Sequence, residues 1–445
     1  MARNRVIYQS QALFIAPNST GAQISGVSAN GLTTLASPFT GTVNGQAASG
    51  ISLLKKMDRI QSCNFNFTIN RQDINEFGKL ARIDSIVMET PTIGLDFSYY
   101  VTDGFNERLM GFNITGVTDN ATVAGAQAIS GLLADLQGNN YYILTVDEGE
   151  DVVGGNLTPT SSIVSIGNGF ISEYSFDASV GAIPTANVTV EAFNIKSDYS
   201  ETPASVTTSA APTSGALGSD CTYISGFSPA IDLYSQPATK FTHPGSLYKL
   251  DISRNFTGVF GSGANLNFTG FTTGSSTVSA LRPGDIVLTM PASEGFTDLS
   301  LAHIQSFKFT IPLSRTVLQR LGNTFGFARV VNVPMNMDVT VSAIVSELKD
   351  QNIFDKLSTY AKNNFTITLK DSSSTSKVAY GISGAIFQGE SYSENIGDNQ
   401  TVDLTYTVQI GGSNDTANGL FMSGSYPIPD AIISSFYKLG AAKSM

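Results

Sequence analysis

The chain is poor in charge, cysteine, histidine and long apolar runs, and each shortage narrows what it can be. Charged residues make up 14% of its 445 residues, and the formal net charge is −11. Tight wrapping of nucleic acid needs clustered Lys and Arg to neutralise phosphates, and no such cluster is present. The two cysteines, Cys63 and Cys221, lie far apart and lack CxxC spacing. A disulfide framework and a cysteine-rich metal site are therefore not expected, and free thiols are. The two histidines, His243 and His303, show no HxH or HExxH spacing. That removes the usual zinc-site patterns and leaves a Ser–His–Asp triad without a placed base. No apolar run approaches the roughly 18–20 residues of a membrane-spanning helix. The opening Met1-Ala2-Arg3-Asn4-Arg5 is not followed by the apolar core of an export signal, so none is expected.

What is present suits strands and turns. Hydrophobic residues reach 41%, enough for real cores. Abundant Gly, Asn, Ser and Thr supply tight turns. Alternation of apolar and polar residues recurs, the mark of half-buried strands. Phe65, Phe67 and Ile69 share one face of residues 64–70, with polar residues between them. Residues 95–99, 187–191, 365–369 and 402–406 alternate likewise. Helix signals are confined to residues 132–136 and 350–361; in the second, Ile353, Phe354, Leu357 and Tyr360 keep helical spacing. The expected fold class is all-β with minor helices.

An internal repeat is the sharpest feature. Ile60-Gln61-Ser62, a strand, Arg71, Ile74 and Gly78 are followed at the same spacing by Ile304-Gln305-Ser306, a strand, Arg315, Leu318 and Gly322. Pro91 and Pro334 close the two blocks, and each leads into a strand with an acid, Asp96 and Asp338. Phe65, Phe67 and Ile69 match Phe309, Ile311 and Leu313. Both copies end on one pattern: Ile171, Gly181 and Val190 in the first, Phe387, Gly397 and Tyr406 in the second. Between them, residues 201–219 are rich in Thr, Ser, Ala and Pro and read as a linker. The expected organisation is a first β domain at 1–200, the linker, and a second β domain at 220–445. Residues 220–283 are read as an insertion, an exchanged arm or part of the second sheet.

No catalytic, cofactor-binding or metal-binding residue is assigned. There is no GxxxxGK[ST] loop, and the glycines at 258–263 and 167–169 lack a strand-to-helix setting. The acidic run Asp147-Glu148-Gly149-Glu150-Asp151 departs from the order of an EF-hand loop and reads as a solvated loop. The absence of catalytic signatures points to a building block and not an enzyme. Strand edges are ready assembly surfaces.

Residues 59–80 resemble the opening strand and turn of bacteriophage major tail tube proteins. So do Pro91-Thr92-Ile93-Gly94-Leu95-Asp96-Phe97, Asp103 to Glu107, Gly167 to Ile171 and Gly181 to Pro184. The resemblance covers most of the first half directly, and the second half through the repeat. It implies two tandem tail-tube-like β-sandwich or half-barrel domains in a virion structural subunit made in the host cytoplasm. Sheets of neighbouring subunits would join into an inner barrel, and stacked rings would conduct the genome at ejection. The implied partners are other copies of the chain, as a homotrimer with pseudo-sixfold symmetry or as a homohexamer. Tape measure, terminator and baseplate or tip proteins complete the implied set, with double-stranded DNA passing without tight binding. No cofactor and no membrane are implied. A conduit favours an acidic lumen, which repels phosphate, although net charge does not say which carboxylates line it. A capsid decoration or tail-terminator protein, and a β-domain surface adhesin, are the alternative readings.

Overall fold

The computed structural model describes residues 11–17, 42–43, 46–47, 55–68, 71–87, 92–115, 127–130, 132, 139–145, 161–192, 194–200, 281, 284, 286–289, 303–318, 328–344, 362–393, 401–412, 415 and 417–424. The expected linker, the acidic run at 147–151, His243, Cys221, the helical pattern at 350–361 and nearly all of 220–283 lie outside them.

Among the described residues the chain is almost entirely antiparallel β. The first strands are β1 (Gln11–Pro17), β2 (Thr42–Val43), β3 (Gln46–Ala47), β4 (Lys55–Lys56), β5 (Ile60–Thr68), β6 (Arg71–Ile74), β7 (Asp84–Val87) and β8 (Thr92–Tyr100). Helix α1 (Phe105–Met110) precedes β9 (Ile114–Thr115), β10 (Asn139–Thr145), β11 (Ser161–Ser179), β12 (Thr185–Ala192) and β13 (Asn194–Ser200). After residue 200 come β14 (Ile286–Thr289), β15 (His303–Pro312), β16 (Arg315–Leu318), β17 (Ala328–Val331) and β18 (Met335–Ile344). The last four are β19 (Asn363–Lys370), β20 (Ser376–Ser393), β21 (Thr401–Ile410) and β22 (Gly419–Gly424).

One pairing scheme occurs twice. In the first set β5 pairs β8, β8 pairs β12, β12 pairs β11, and β11 also pairs β10 and β13, with β1 beyond β10. In the second set β15 pairs β18, β18 pairs β21, β21 pairs β20, and β20 also pairs β19 and β22, with β14 beyond β19. A hairpin follows the opening strand each time, β6–β7 and then β16–β17. Even the irregularities recur. The ladder shifts at Gln61 between Ile60 and Ser62, and again at Gln305 between Ile304 and Ser306. It shifts at Ser172 and again at Gln388. A bulge inserts one residue and bends the strand, so the shared Ile-Gln-Ser motif marks the same irregularity in both sets. Ile171 pairs Val190 and Phe387 pairs Tyr406, as the matched closing pattern requires. The repeated acids are shifted, however. Asp96 pairs Asn64, whereas the residue matching Asn64, Lys308, pairs Thr340. Asp338 therefore lies two residues from the position of Asp96, on the same face.

The long strands β11 and β20 belong to two layers each. Their first parts pair β10 and β13, or β19 and β22, and their second parts pair β12 or β21. The core lies between these layers. It takes alternate residues of the long paired strands: Ile93, Leu95, Phe97 and Tyr99 from β8, Val188 and Val190 from β12, Met337, Val339 and Val341 from β18, Leu404, Tyr406 and Val408 from β21. Burying a side chain of this size is worth about 1.5–3 kcal/mol, so the alternation fixes both register and face.

Helix α1 has no periodic signal in the sequence because six residues make under two turns. It is bracketed by Gly104 at φ +82° and Gly111 at φ +106°, and left-handed residues of this kind start and stop a helix without strain in glycine.

Candidate functional site

The two sets of strands meet edge to edge. Strand β11 of the first pairs antiparallel with β15 of the second, from Glu173 opposite Pro312 to Ser179 opposite Ser306. The ladder continues outward through Val180 N–H donating to Gln305 O at 2.8 Å and Leu313 N–H donating to Ser172 O at 2.7 Å. The result is one continuous run of eight strands in the order β5-β8-β12-β11-β15-β18-β21-β20.

Aromatic packing seals this junction. Phe176 and Phe309 face each other across it, both 0% exposed, with ring centroids 5.4 Å apart and planes at 24°. Tyr380 closes on both, at 4.7 Å from Phe176 and 5.4 Å from Phe309. Such pairs add about 0.5–1.5 kcal/mol beyond their area. Below them lies one buried carboxylate, Glu107 of α1. Its Oε1 accepts hydrogen bonds from the Oη of Tyr99 at 2.8 Å, Tyr174 at 3.2 Å and Tyr380 at 3.5 Å. Tyr99 and Tyr174 come from the first set and Tyr380 from the second, so Glu107 ties the halves together. Burial pushes its carboxyl upward, opposed by its backbone and tyrosine hydrogen bonds. Burial likewise holds the three phenols well above their ordinary value. Three donors on one acceptor in an enclosed setting clamp α1 to strands of both sets.

The run of eight strands ends in two edges. At one end β5 pairs β8 only, among the described strands. At the other, Gly389 to Ser393 of β20 pair β21 only, again among the described strands. Both edges carry an aromatic residue that is not covered: Phe65 is 41% exposed and Tyr392 is 49% exposed. Burial raises the Tyr392 phenol, with Glu390 adding to the rise.

The face turned away from the core is polar along all eight strands. Its charged positions are Asp96, Glu173, Asp177, Glu191, Asp338 and Asp403 against one cation, Lys308, among the described residues. Asp177 and Lys308 are cross-strand partners in the junction. Ser342 Oγ donates to Asp403 Oδ1. Sequence reasoning anticipated acids on such a face but did not assign them; strand order was the missing information, because alternation gives the face of each strand and not which strands lie side by side.

A second exposed feature is the β6–β7 hairpin. Phe77 and Leu80 stand fully in solvent at its tip. Its turn holds Gly78 at φ +87°. Ion pairs Lys79–Glu76 at 2.7 Å and Arg82–Asp73 at 3.0 Å brace it.

Of the residues that could bear chemistry, His303 begins β15 with its backbone opposite Ile344. Cys63 is a free thiol on β5, pushed up to about 12 by burial, the opposite of an activated thiolate. Among the described residues no group of three or more His, Cys, Asp or Glu is placed to hold a metal ion, and no helix is long and apolar enough to cross a membrane.

No protein-family model matches the sequence, and no curated protein matches it. The solved structures similar over part of the chain include the following two. One is from the six-fold symmetrised cryo-EM structure of the anti-feeding prophage baseplate, at 13% identity over 32% of this chain and 91% of that one, with a TM-score of 0.21. The other is from the anti-feeding prophage cap, described as a tube terminating cap, at 10% identity over 33% of this chain and 92% of that one, with a TM-score of 0.22. This is a weak, partial likeness to components of a phage-derived assembly.

Proposed function

We propose that this chain is a non-enzymatic structural subunit of a phage tail tube, made of two tandem copies of one tube-forming unit. Three chains then close a ring of six similar units, and the rings stack into a conduit for double-stranded DNA. The observation that carries the reading is the β11–β15 junction. It is an edge-to-edge join between two units of like connectivity, and among the described strands it leaves one edge of each kind unpaired. An edge join of unlike surfaces propagates head to tail and becomes finite only by closing into a ring. Closure also removes the open edges that otherwise invite aggregation.

The acidic face supports the same reading. Turned inward, Asp96, Asp177, Asp338 and their neighbours would give the bore a negative field that repels DNA phosphates and keeps a hydrated path. The Phe77–Leu80 hairpin tip is the natural contact with the next ring. The proposed partners are further copies of the chain and the tape measure, terminator and baseplate or tip proteins of the tail, with no cofactor.

Electron microscopy of the purified chain, with ring mass measured in parallel, tests this. Hollow stacked rings of three chains are expected. Persistent monomers or rings of another stoichiometry would contradict it. In assembled tails, Asp96→Asn combined with Asp177→Asn and Asp338→Asn should slow DNA ejection at low salt, with the gap closing as salt screens the field.

A further inference from the structure

The junction inside the chain specifies the register of a junction between chains. We infer that β5 of one copy pairs antiparallel with residues 389–393 of β20 in the next, with Phe65 opposite Tyr392. This rests on the ring reading above and adds the partner strand, its direction and its alignment.

The alignment comes from pairings within the chain. Strand β5 corresponds to β15, since both pair the equivalent neighbour of their set after the same glutamine bulge; Phe65 falls on Phe309 and Phe67 on Ile311. The end of β20 corresponds to the end of β11. Their bulges at Gln388 and Ser172 coincide, which puts Glu390 on Tyr174 and Tyr392 on Phe176. Within the chain, Tyr174 faces Ile311, Ser175 faces Thr310 and Phe176 faces Phe309. Transferring those pairs sets Glu390 opposite Phe67, Ser391 opposite Asn66 and Tyr392 opposite Phe65.

Two independent observations agree with that transfer. The two aromatic residues it brings together are uncovered on their edge strands, at 41% and 49%, while their counterparts Phe309 and Phe176 are fully buried. The partners on the other face, Ser391 with Asn66 and Ser393 with Asn64, are small, uncharged and able to exchange hydrogen bonds, so no like charges meet. A second copy of the chain is the occupant because it carries both edges in complementary form. A slip by one residue would turn Phe65 to the polar face, so the register is strongly specified.

Cross-linking of the full-length chain decides the matter. In a Cys63→Ser, Cys221→Ser background, Phe65→Cys with Tyr392→Cys places two thiols at directly opposed positions, where Cα atoms are about 5.5 Å apart and a disulfide fits. Oxidation at high protein concentration should give a ladder of covalent multimers on a non-reducing gel. Each single-cysteine variant should stop at dimers. Phe65→Cys with Glu390→Cys, shifted by two residues, should cross-link at least about tenfold less. A stronger ladder from the shifted pair overturns the register, and an intramolecular product without a ladder shows that the chain's own segment covers the edge and overturns the partner. Rings visible by microscopy without a 65–392 ladder would sink this inference and leave the tube reading standing; absence of rings sinks both. Phe65→Ala and Tyr392→Ala, each expected to keep the thermal midpoint of the dissociated chain, should weaken assembly about ten- to a hundredfold, as loss of a buried aromatic anchor does. Unchanged assembly in both would overturn the pairing.

Discussion

Strands β5 and β15 begin with the same Ile-Gln-Ser bulge, continue with alternating apolar residues and pair an equivalent neighbour, yet their outer sides differ. Beside β15 lies β11, and Phe309 and Ile311 are fully buried. Beside β5 no described strand lies on the outer side, and Phe65 is 41% exposed. The difference does not come from the strands themselves. It comes from whether the preceding unit in the chain supplies a partner edge. A pattern shared by two copies while only one copy is covered is what a strand built for two equivalent junctions would show, one within the chain and one between chains.

The contrast between the strands is broken most severely at the buried one. Phe309→Ala removes a ring packed against Phe176, Tyr174 and Tyr380. A cost of about 3–5 kcal/mol in folding stability is expected, read as a lowered urea midpoint. Next comes the clamp. Glu107→Ala leaves three phenols competing for partners, with the 3.4 Å Tyr174–Tyr380 contact remaining between two of them. Roughly 2–3 kcal/mol should be lost, whereas Glu107→Gln keeps an acceptor oxygen and should lose clearly less. Equal losses would show that the cluster is held by packing alone.

A smaller effect is expected at Asp58, which precedes β5. Its backbone N–H donates to Asn106 Oδ1 at 2.9 Å, and its carbonyl accepts from Asn106 Nδ2 at 2.8 Å. Its carboxyl is pushed from 3.8 to about 6, mainly by burial and then by Asp103, with Lys56 and Arg59 opposing. The folded chain thus binds this proton more tightly than the unfolded one. The resulting stability is fully present below pH 3.8 and is lost as pH rises to about 6. Asp58→Asn should remove that slope, so that the variant gains on the parent between about pH 4 and 7 in urea titrations. Smallest of all, Phe65→Ala in the dissociated chain should change stability by no more than about 0.5 kcal/mol. A loss near that of Phe309→Ala would mean that Phe65 is already covered within one chain.

Much of the fold was legible because alternation with period two is a local signal. Leu95, Phe97, Val188, Val190, Phe365, Ile367, Leu404 and Tyr406 all face the core as their spacing requires. The matched Ile-Gln-Ser starts could be aligned from sequence, but that their glutamines are bulges could not, since a bulge depends on the partner strand. Phe65 and Phe67 read as half-buried like any alternating pair; that β5 lies at an edge is a property of strand order. The same limit hid the six acids of the polar face and the Glu107 clamp, in which Tyr380 lies 273 residues from Glu107. Glu107 itself read only as part of the Asp103–Glu107 segment, because α1 is too short to show helical spacing.

Amide hydrogen exchange on β5 and β15, compared between dissociated and assembled chains, tests the central claim most directly. In the dissociated chain the amides of Phe307 and Phe309 should be protected, and those of Cys63 and Phe65, which occupy the matching positions, should exchange fast. On assembly Cys63 and Phe65 should become as protected as their counterparts. Fast exchange of Cys63 and Phe65 in the assembled state, or full protection before assembly, would contradict the account.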